Sequence, residues 1–209
     1  MSTVKSRREQ YSEATRAALL AAATRRFAER GFAGTTLEDV ATDIQATRGA
    51  IYHHFANKTA LFEAVFEQLE TDAMGLSAAA AARFPDPWPA ALAALDVFLD
   101  HCCDPVYGRV VWQEAPIALG WRRWQAAEEQ YAYGLIEQLL KALMDGGDIE
   151  DQPLETTTRL VFGMLGTAGL ALAEASDVDK ARLKAEYASI IGRMASGLRP
   201  AANEAFRGA

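Results

Sequence analysis

The sequence predicts an all-α fold of about nine helices, and three features carry that prediction. Apolar residues recur at three- and four-residue spacing along most of the 209-residue chain, which is half apolar at 50%. Proline falls between these periodic stretches or at their first turns. No run of alternating apolar and polar residues competes for strand.

Taken in order, Lys5, Arg7 and Arg8 form a basic lead-in, either an arm toward a polyanion or a frayed terminus. A helix over 12–30 follows, with Leu20, Ala23 and Phe27 inward and Gly31 as its stop, Phe32 packing back. Thr35 and, three residues later, Glu38 form a capping-box signal for a second helix. Its inner face is Leu37, Val40, Ala41 and Ile44, and it ends near Ile44 with Gln45-Ala46 as the turn. Thr47 caps a third helix, Arg48 to Phe55, whose Ile51 and Phe55 share one face. The fourth starts near Lys58, with Asn57 as its cap, and continues toward Ala82. Pro85, Pro87 and Pro89 break it. Five further helices are expected: one through Leu92 and Leu99, one from Val106, one over 121–144 ended by Gly146-Gly147, one from Pro153 through Leu172, and one over 178–198. The domains expected are 1–57 and 58–209.

The outward side of the third helix has the chemistry of a duplex reader. Arg48 can offer a guanidinium fork to guanine O6 and N7. Gly49 and Ala50 allow a close approach to the groove floor, and Ala50 can touch a thymine methyl. Tyr52 and His53 carry polar tips for phosphate oxygens, and Thr47 with its helix N–H groups can hold another phosphate. Lys58 lies near the next helix start. The alternative is an ordinary helical hairpin whose Arg48, Tyr52 and His53 are solvated.

Ala41, Thr47-Arg48-Gly49-Ala50-Ile51-Tyr52-His53-His54-Phe55, Asn57-Lys58, Leu61 and Phe62 together resemble the helix-turn-helix of TetR-family transcriptional regulators. The resemblance is sharp over 12–69 and architectural beyond, although Pro116 to Trp124, with Leu-Gly-Trp-Arg-Arg-Trp, looks like one C-terminal subgroup. The family commonly has an Ala-Gly-Val-like turn where this chain has Ile44-Gln45-Ala46, a non-glycine residue where positive φ is needed. The resemblance implies 1–57 as a three-helix DNA-binding domain and 58–209 as a helical ligand-binding and dimerisation domain. It implies a repressor released from a palindromic double-stranded operator by a small-molecule effector. Thr36, Thr47, Arg48, Gly49, Ala50, Tyr52, His53, His54 and Lys58 are the DNA-contact candidates.

Charge fits such a division. The net charge of −7 separates into nine basic and six acidic residues over 1–60 (+3) and twelve against twenty-two over 61–209 (−10). A basic head on an acidic body suits one-ended contact with DNA. Cys102 and Cys103, the only two cysteines, are adjacent and build no disulfide framework, and the N-terminus has no apolar signal region; a reducing cytoplasm is expected, with no membrane span.

In the body, Phe98, His101, Cys102, Tyr107, Trp112, Glu114, Trp121, Trp124, Phe162 and Met164 form an aromatic and polar set. The family places a ligand cavity in this region, and these side chains suit a small, largely apolar or aromatic molecule; packed core is the alternative. His101, Cys102 and Cys103 point in different directions on a helix and cannot share one metal ion. No metal, cofactor or catalytic motif is expected. Gly163, Gly166 and Gly169 would line one flank of their helix. The family pairs its last two helices with a second copy, which implies a homodimer through Leu160, Gly163, Thr167, Leu170, Tyr187, Ile191 and Met194. The competing class is an all-α carrier or enzyme whose N-terminal helices are only structural.

Overall fold

A computed structural model describes residues 6–200; Lys5 of the basic lead-in lies outside them. Among the described residues nine helices and no strand are found: α1 (Arg7–Arg30), α2 (Leu37–Asp43), α3 (Arg48–His54), α4 (Lys58–Ala81), α5 (Pro87–Cys103), α6, α7 (Trp121–Asp145), α8 (Leu154–Glu174) and α9 (Asp177–Ser196). Helix α6 is composite: an α-turn Pro105–Tyr107, a π-helical stretch Gly108–Glu114 and a final α-turn Ala115–Leu119.

Several boundaries differ from expectation for local reasons. Helix α1 starts earlier because Ser6 and Glu9 form a capping box, so Arg7 and Arg8 lie in its first turn. The capping box of α2 is Thr36 with Asp39, not Thr35 with Glu38. Thr35 is instead fully buried, its hydroxyl donating to the Gly31 carbonyl at 2.9 Å. Pro87 and Pro89 lie in the first turn of α5, where a missing N–H costs nothing. Pro116 likewise lies in the first turn of the short segment Ala115–Leu119 that ends α6. The π-helical stretch has no counterpart among the sequence expectations.

The turn between α2 and α3 is a Schellman closure. Gln45 N–H donates to the Thr42 carbonyl at 3.0 Å and Ala46 N–H to the Ala41 carbonyl at 2.9 Å. Gln45 takes φ 55°, the left-handed conformation that glycine usually supplies there.

The chain packs as two compact units, Met1–Thr71 with Asp104–Ala126, and Asp72–Cys103 with Ala127–Ala209. The division expected at 57/58 coincides with the start of α4; the compact units divide the chain elsewhere. In the first unit, Leu19, Ala23, Phe27, Val40, Ile51, Leu61, Phe62, Val65, Val110 and Val111 are buried. Phe27, Phe32 and Phe62 form an aromatic triple, with centroids 4.9 Å apart for Phe27–Phe62 and 5.4 Å for Phe32–Phe62. In the second unit, Leu140, Leu143 and Ile149 pack with Trp88, Ile136, Leu154, Val161 and Leu198. Lys184 of α9 there reaches Asp96 and Asp100 of α5 at 2.8 and 2.6 Å.

A bracket in the first unit holds the end of α1. Glu114, nearly buried on α6, accepts the Phe32 N–H at 2.7 Å and pairs with Arg109 at 2.7 Å. Lys58 Nζ donates to the Phe32 carbonyl at 2.7 Å. Gly31 has φ 70° and ψ 176°, a glycine-only region, and a Cβ there would lie 2.8 Å from Glu114 Oε1. Gly31→Ala should therefore lower stability by about 1–3 kcal/mol. Gly75→Ala, in mid-α4 with open space around the new methyl, should raise it by about 0.5–1 kcal/mol. Urea unfolding of both variants checks the pair of signs.

Candidate nucleic-acid interface

Helix α3 divides cleanly into two sides. Ile51 is wholly buried and Phe55 4% exposed, anchoring the helix to the core. Thr47, Arg48, Gly49, Tyr52 and His53 are exposed, and Ala50 is half-buried. Thr47 caps the helix by accepting the Ala50 N–H at 3.2 Å. A Cβ at Gly49 would meet only Thr47 Oγ1, at 3.9 Å, so this surface is open. Thr36, exposed at the α2 N-cap, uses its side chain locally with Asp39, whose carboxyl is held below its usual range chiefly by that hydroxyl.

The exposed polar groups are organised. Arg48 Nε lies 3.2 Å from Glu38 Oε1, and the Tyr52 hydroxyl donates to the same oxygen at 3.1 Å. The Arg48 guanidinium carbon lies 5.4 Å from the Tyr52 ring centroid. Glu38 is the residue that sequence reasoning misses here. The sequence pattern assigns it to a cap, and freed from that role it meets α3 from α2. The i to i+10 relation of Glu38 and Arg48 carries no helical periodicity that could reveal the contact.

His54 is half-buried beside His53, with ring centroids 5.2 Å apart. Burial, then the His53 and Arg16 charges, hold its pKa below the usual imidazole value, so it is mostly neutral at pH 7. Lys58 is committed differently from expectation. Its ammonium donates to the Phe32 carbonyl and lies 4.4 Å over the Phe32 ring. Two N–H donors remain for a phosphate.

The aromatic and polar set falls into both units. Tyr107, Trp112, Glu114, Trp121 and Trp124 belong to the first; Phe98, His101, Cys102, Phe162 and Met164 belong to the second. In the first unit, Trp124 stands edge-on to Trp112 at 5.8 Å and 4.8 Å from Trp121. Trp121 is 59% exposed, whereas Trp124 is buried and its indole N–H has no hydrogen-bond partner. Glu114 has its carboxylate engaged by Phe32 and Arg109. Tyr107 donates its hydroxyl to Glu70 Oε1 at 2.7 Å. Glu70 is completely buried, and its Oε2 has no partner. In the second unit Cys102 is wholly buried, Phe98, His101, Phe162 and Met164 are half-buried, and the Phe162 ring lies 6.3 Å from Tyr133.

The outer faces of α8 and α9, both in the second unit, carry exposed Leu160, Gly163, Thr167 and Met194, with Leu170 and Tyr187 half-buried. Ile191 corrects the expected set: it is 7% exposed and belongs to the core, while its neighbour Ile190 is 46% exposed. The glycines do not share one flank either. Gly163 is exposed, Gly166 half-buried and Gly169 buried, because a three-residue step falls about 60° short of a full helical turn.

Residues 88–198 match the family pattern described as "Tetracyclin repressor-like, C-terminal domain", and residues 19–65 match "Bacterial regulatory proteins, tetR family". The HTH-type transcriptional regulator TtgR of Pseudomonas putida is 46% identical over 63 residues, which are 30% of this chain and 30% of that protein. The chain thus aligns with under a third of that relative's length. A TetR-family transcriptional regulator from Pectobacterium atrosepticum has a crystal structure with TM-score 0.78 to this one at 28% identity, covering 94% of this chain and 99% of that chain. RolR, solved in complex with resorcinol, shares the fold at TM-score 0.64 and 20% identity, covering 92% and 98%.

The buried Glu70 carboxyl gives the first unit a pH signature. Burial pushes its pKa up to about 7, partly opposed by the Tyr107 hydroxyl. A raised carboxyl pKa gives stability that is full below the unfolded value near 4.5 and is lost as pH rises through about 7. Glu70→Gln keeps the shape without the charge. It should match the wild type near pH 4 and exceed it by about 1–3 kcal/mol at pH 8 in urea unfolding.

Proposed function

The chain belongs to the TetR family of bacterial regulatory proteins, and from that premise we propose that it is a sequence-specific, DNA-binding transcriptional regulator, acting as a repressor that a small molecule releases. The observation that carries this reading is the two-sided α3. Its inner side is locked by Ile51 and Phe55, and its outer side offers Thr47, Arg48, Gly49, Tyr52 and His53 together. A helix so anchored presents a rigid reading surface to a major groove. Arg48 reads guanine, Ala50 touches the groove floor, and Thr36, Thr47, Tyr52 and His53 face phosphates. His54, half-buried and mostly neutral, and Lys58 serve more to fix the helices than to add charge.

The active species in this reading is a homodimer. Leu160, Gly163, Thr167, Leu170, Tyr187 and Met194 form the contact face, with Ile190 in place of Ile191. Two recognition helices related by a two-fold axis require a palindromic operator. The effector is a small, largely apolar or aromatic molecule. In the first unit, Trp112, Trp121 and Trp124 supply stacking surface, and the unpartnered Trp124 N–H offers a donor to a ligand oxygen. A fold relative, RolR, holds resorcinol, a molecule of this class. Release requires that the effector bind the DNA-incompetent state more tightly. The bracket from Glu114 of α6 to Phe32 offers a route by which a shift in α6 reaches the end of α1.

The test uses duplex DNA from immediately upstream of the protein's own gene, with fluorescence anisotropy at two salt concentrations. The wild type should bind saturably, survive competitor DNA and weaken as salt rises. Arg48→Ala and Tyr52→Ala should each weaken this binding by about tenfold or more while the far-ultraviolet circular dichroism stays helical. Variants that bind as the wild type does would overturn the assignment of α3.

A further inference from the structure

An acidic residue at the centre of a DNA-reading surface is costly, since it repels phosphate and competes for the arginine beside it. Glu38 is such a residue. It stands on the first turn of α2, is 48% exposed, and one of its carboxylate oxygens accepts the Tyr52 hydroxyl and lies 3.2 Å from Arg48 Nε as an ion pair. Arg48 is 76% exposed and Tyr52 40%, so no burial forces this cluster together. Among the described residues, other surface carboxylates pair with arginines outside α3: Asp43 with Arg26, Glu63 with Arg123 and Glu129 with Arg159.

The atom that Glu38 uses is the informative point. A guanidinium has five N–H donors, one on Nε and four on the two Nη atoms. Glu38 lies nearest the Nε side, as an ion pair. The Nη donors are the ones that can form a fork to the O6 and N7 of a guanine. The Tyr52 ring, with its centroid 5.4 Å from the guanidinium carbon, limits Arg48 from a second direction. A free arginine at this place would reach the nearest phosphate as readily as a base edge. One drawn to a carboxylate on its Nε side is biased away from phosphate and keeps its Nη donors for a base edge.

Resting on the DNA-binding reading above, we infer that Glu38 is a specificity-determining positioning residue: it holds Arg48 for guanine readout and, by its own charge, suppresses sequence-independent binding. Glu38 touches no base in this account; it acts through Arg48, with Tyr52 completing the hold. The single exposed pair contributes little to folding, so its effect falls on recognition rather than on stability.

The test compares wild type, Glu38→Ala, Glu38→Gln and Arg48→Ala on one bound duplex, with every base pair substituted in turn, and on an unrelated duplex. Circular dichroism checks that each variant is folded. In the wild type, one G·C pair per half-site should show a penalty of roughly tenfold or more on replacement. Glu38→Ala should shrink that penalty by about two- to fivefold, while binding to the unrelated duplex tightens. Glu38→Gln, which keeps an oxygen acceptor but loses the charge, should retain more of the penalty than Glu38→Ala while also binding the unrelated duplex more tightly. In an Arg48→Ala background, changing Glu38 should have no further effect at that base pair.

Equal tightening on every duplex, with all penalties unchanged, would mean that Glu38 is only a repulsive charge and would overturn the inference. So would an unchanged profile. A wild-type protein that discriminates no sequence would instead overturn the regulator reading, and this inference with it.

Discussion

The backbone of Phe32 is gripped at both its N–H and its carbonyl, and the first unit depends on that grip. Glu114 of α6 takes its N–H and Lys58 of α4 binds its carbonyl, so one residue ties the end of α1 to two other helices. A nearly buried carboxylate would be strongly unfavourable without compensation. Glu114 is compensated by a backbone N–H and by Arg109, five residues before it on a π-helical stretch. The wider π-helical turn sets that pair differently from an ordinary α-turn. Gly31 is the matching concession, since any side chain there would meet the Glu114 carboxylate. The aromatic triple of Phe27, Phe32 and Phe62 then fills the space that the grip encloses.

The proposed recognition surface follows from this rigidity. Helix α3 has seven residues, too few to be stable alone, so its position is set by Ile51 and Phe55 and by the capped turn before it. That turn tolerates Gln45 in a left-handed conformation because two hydrogen bonds close it on either side. The outward side is left free for chemistry, and there the polar side chains organise one another through Glu38.

The sequence exposed the periodic and capped features well. The order of nine helices, the N-cap at Thr47, the stop at Gly31 and the buried pair Ile51 and Phe55 follow from spacing and residue type alone. It misled where two local signals competed. Thr35-Thr36 precede Glu38-Asp39, so two capping boxes fit the same pattern, and only burial of Thr35 against Gly31 decides for Thr36. It was silent on contacts between distant elements. Nothing in residue spacing links Glu114 to Phe32, Glu70 to Tyr107 or Glu38 to Arg48. Ile191 shows a related limit: one helical step separates a core position from the exposed Ile190, and periodicity alone cannot fix the phase that finely.

We propose that two copies of this chain read a two-fold operator through α3. Hydroxyl-radical footprinting of the wild-type protein on the duplex it binds measures this directly. The account predicts two protected segments flanking a dyad, with their centres separated by about one helical turn of DNA or a multiple of it, and both lost together in Arg48→Ala. A single protected segment without a dyad, or protection that persists in Arg48→Ala, would contradict it.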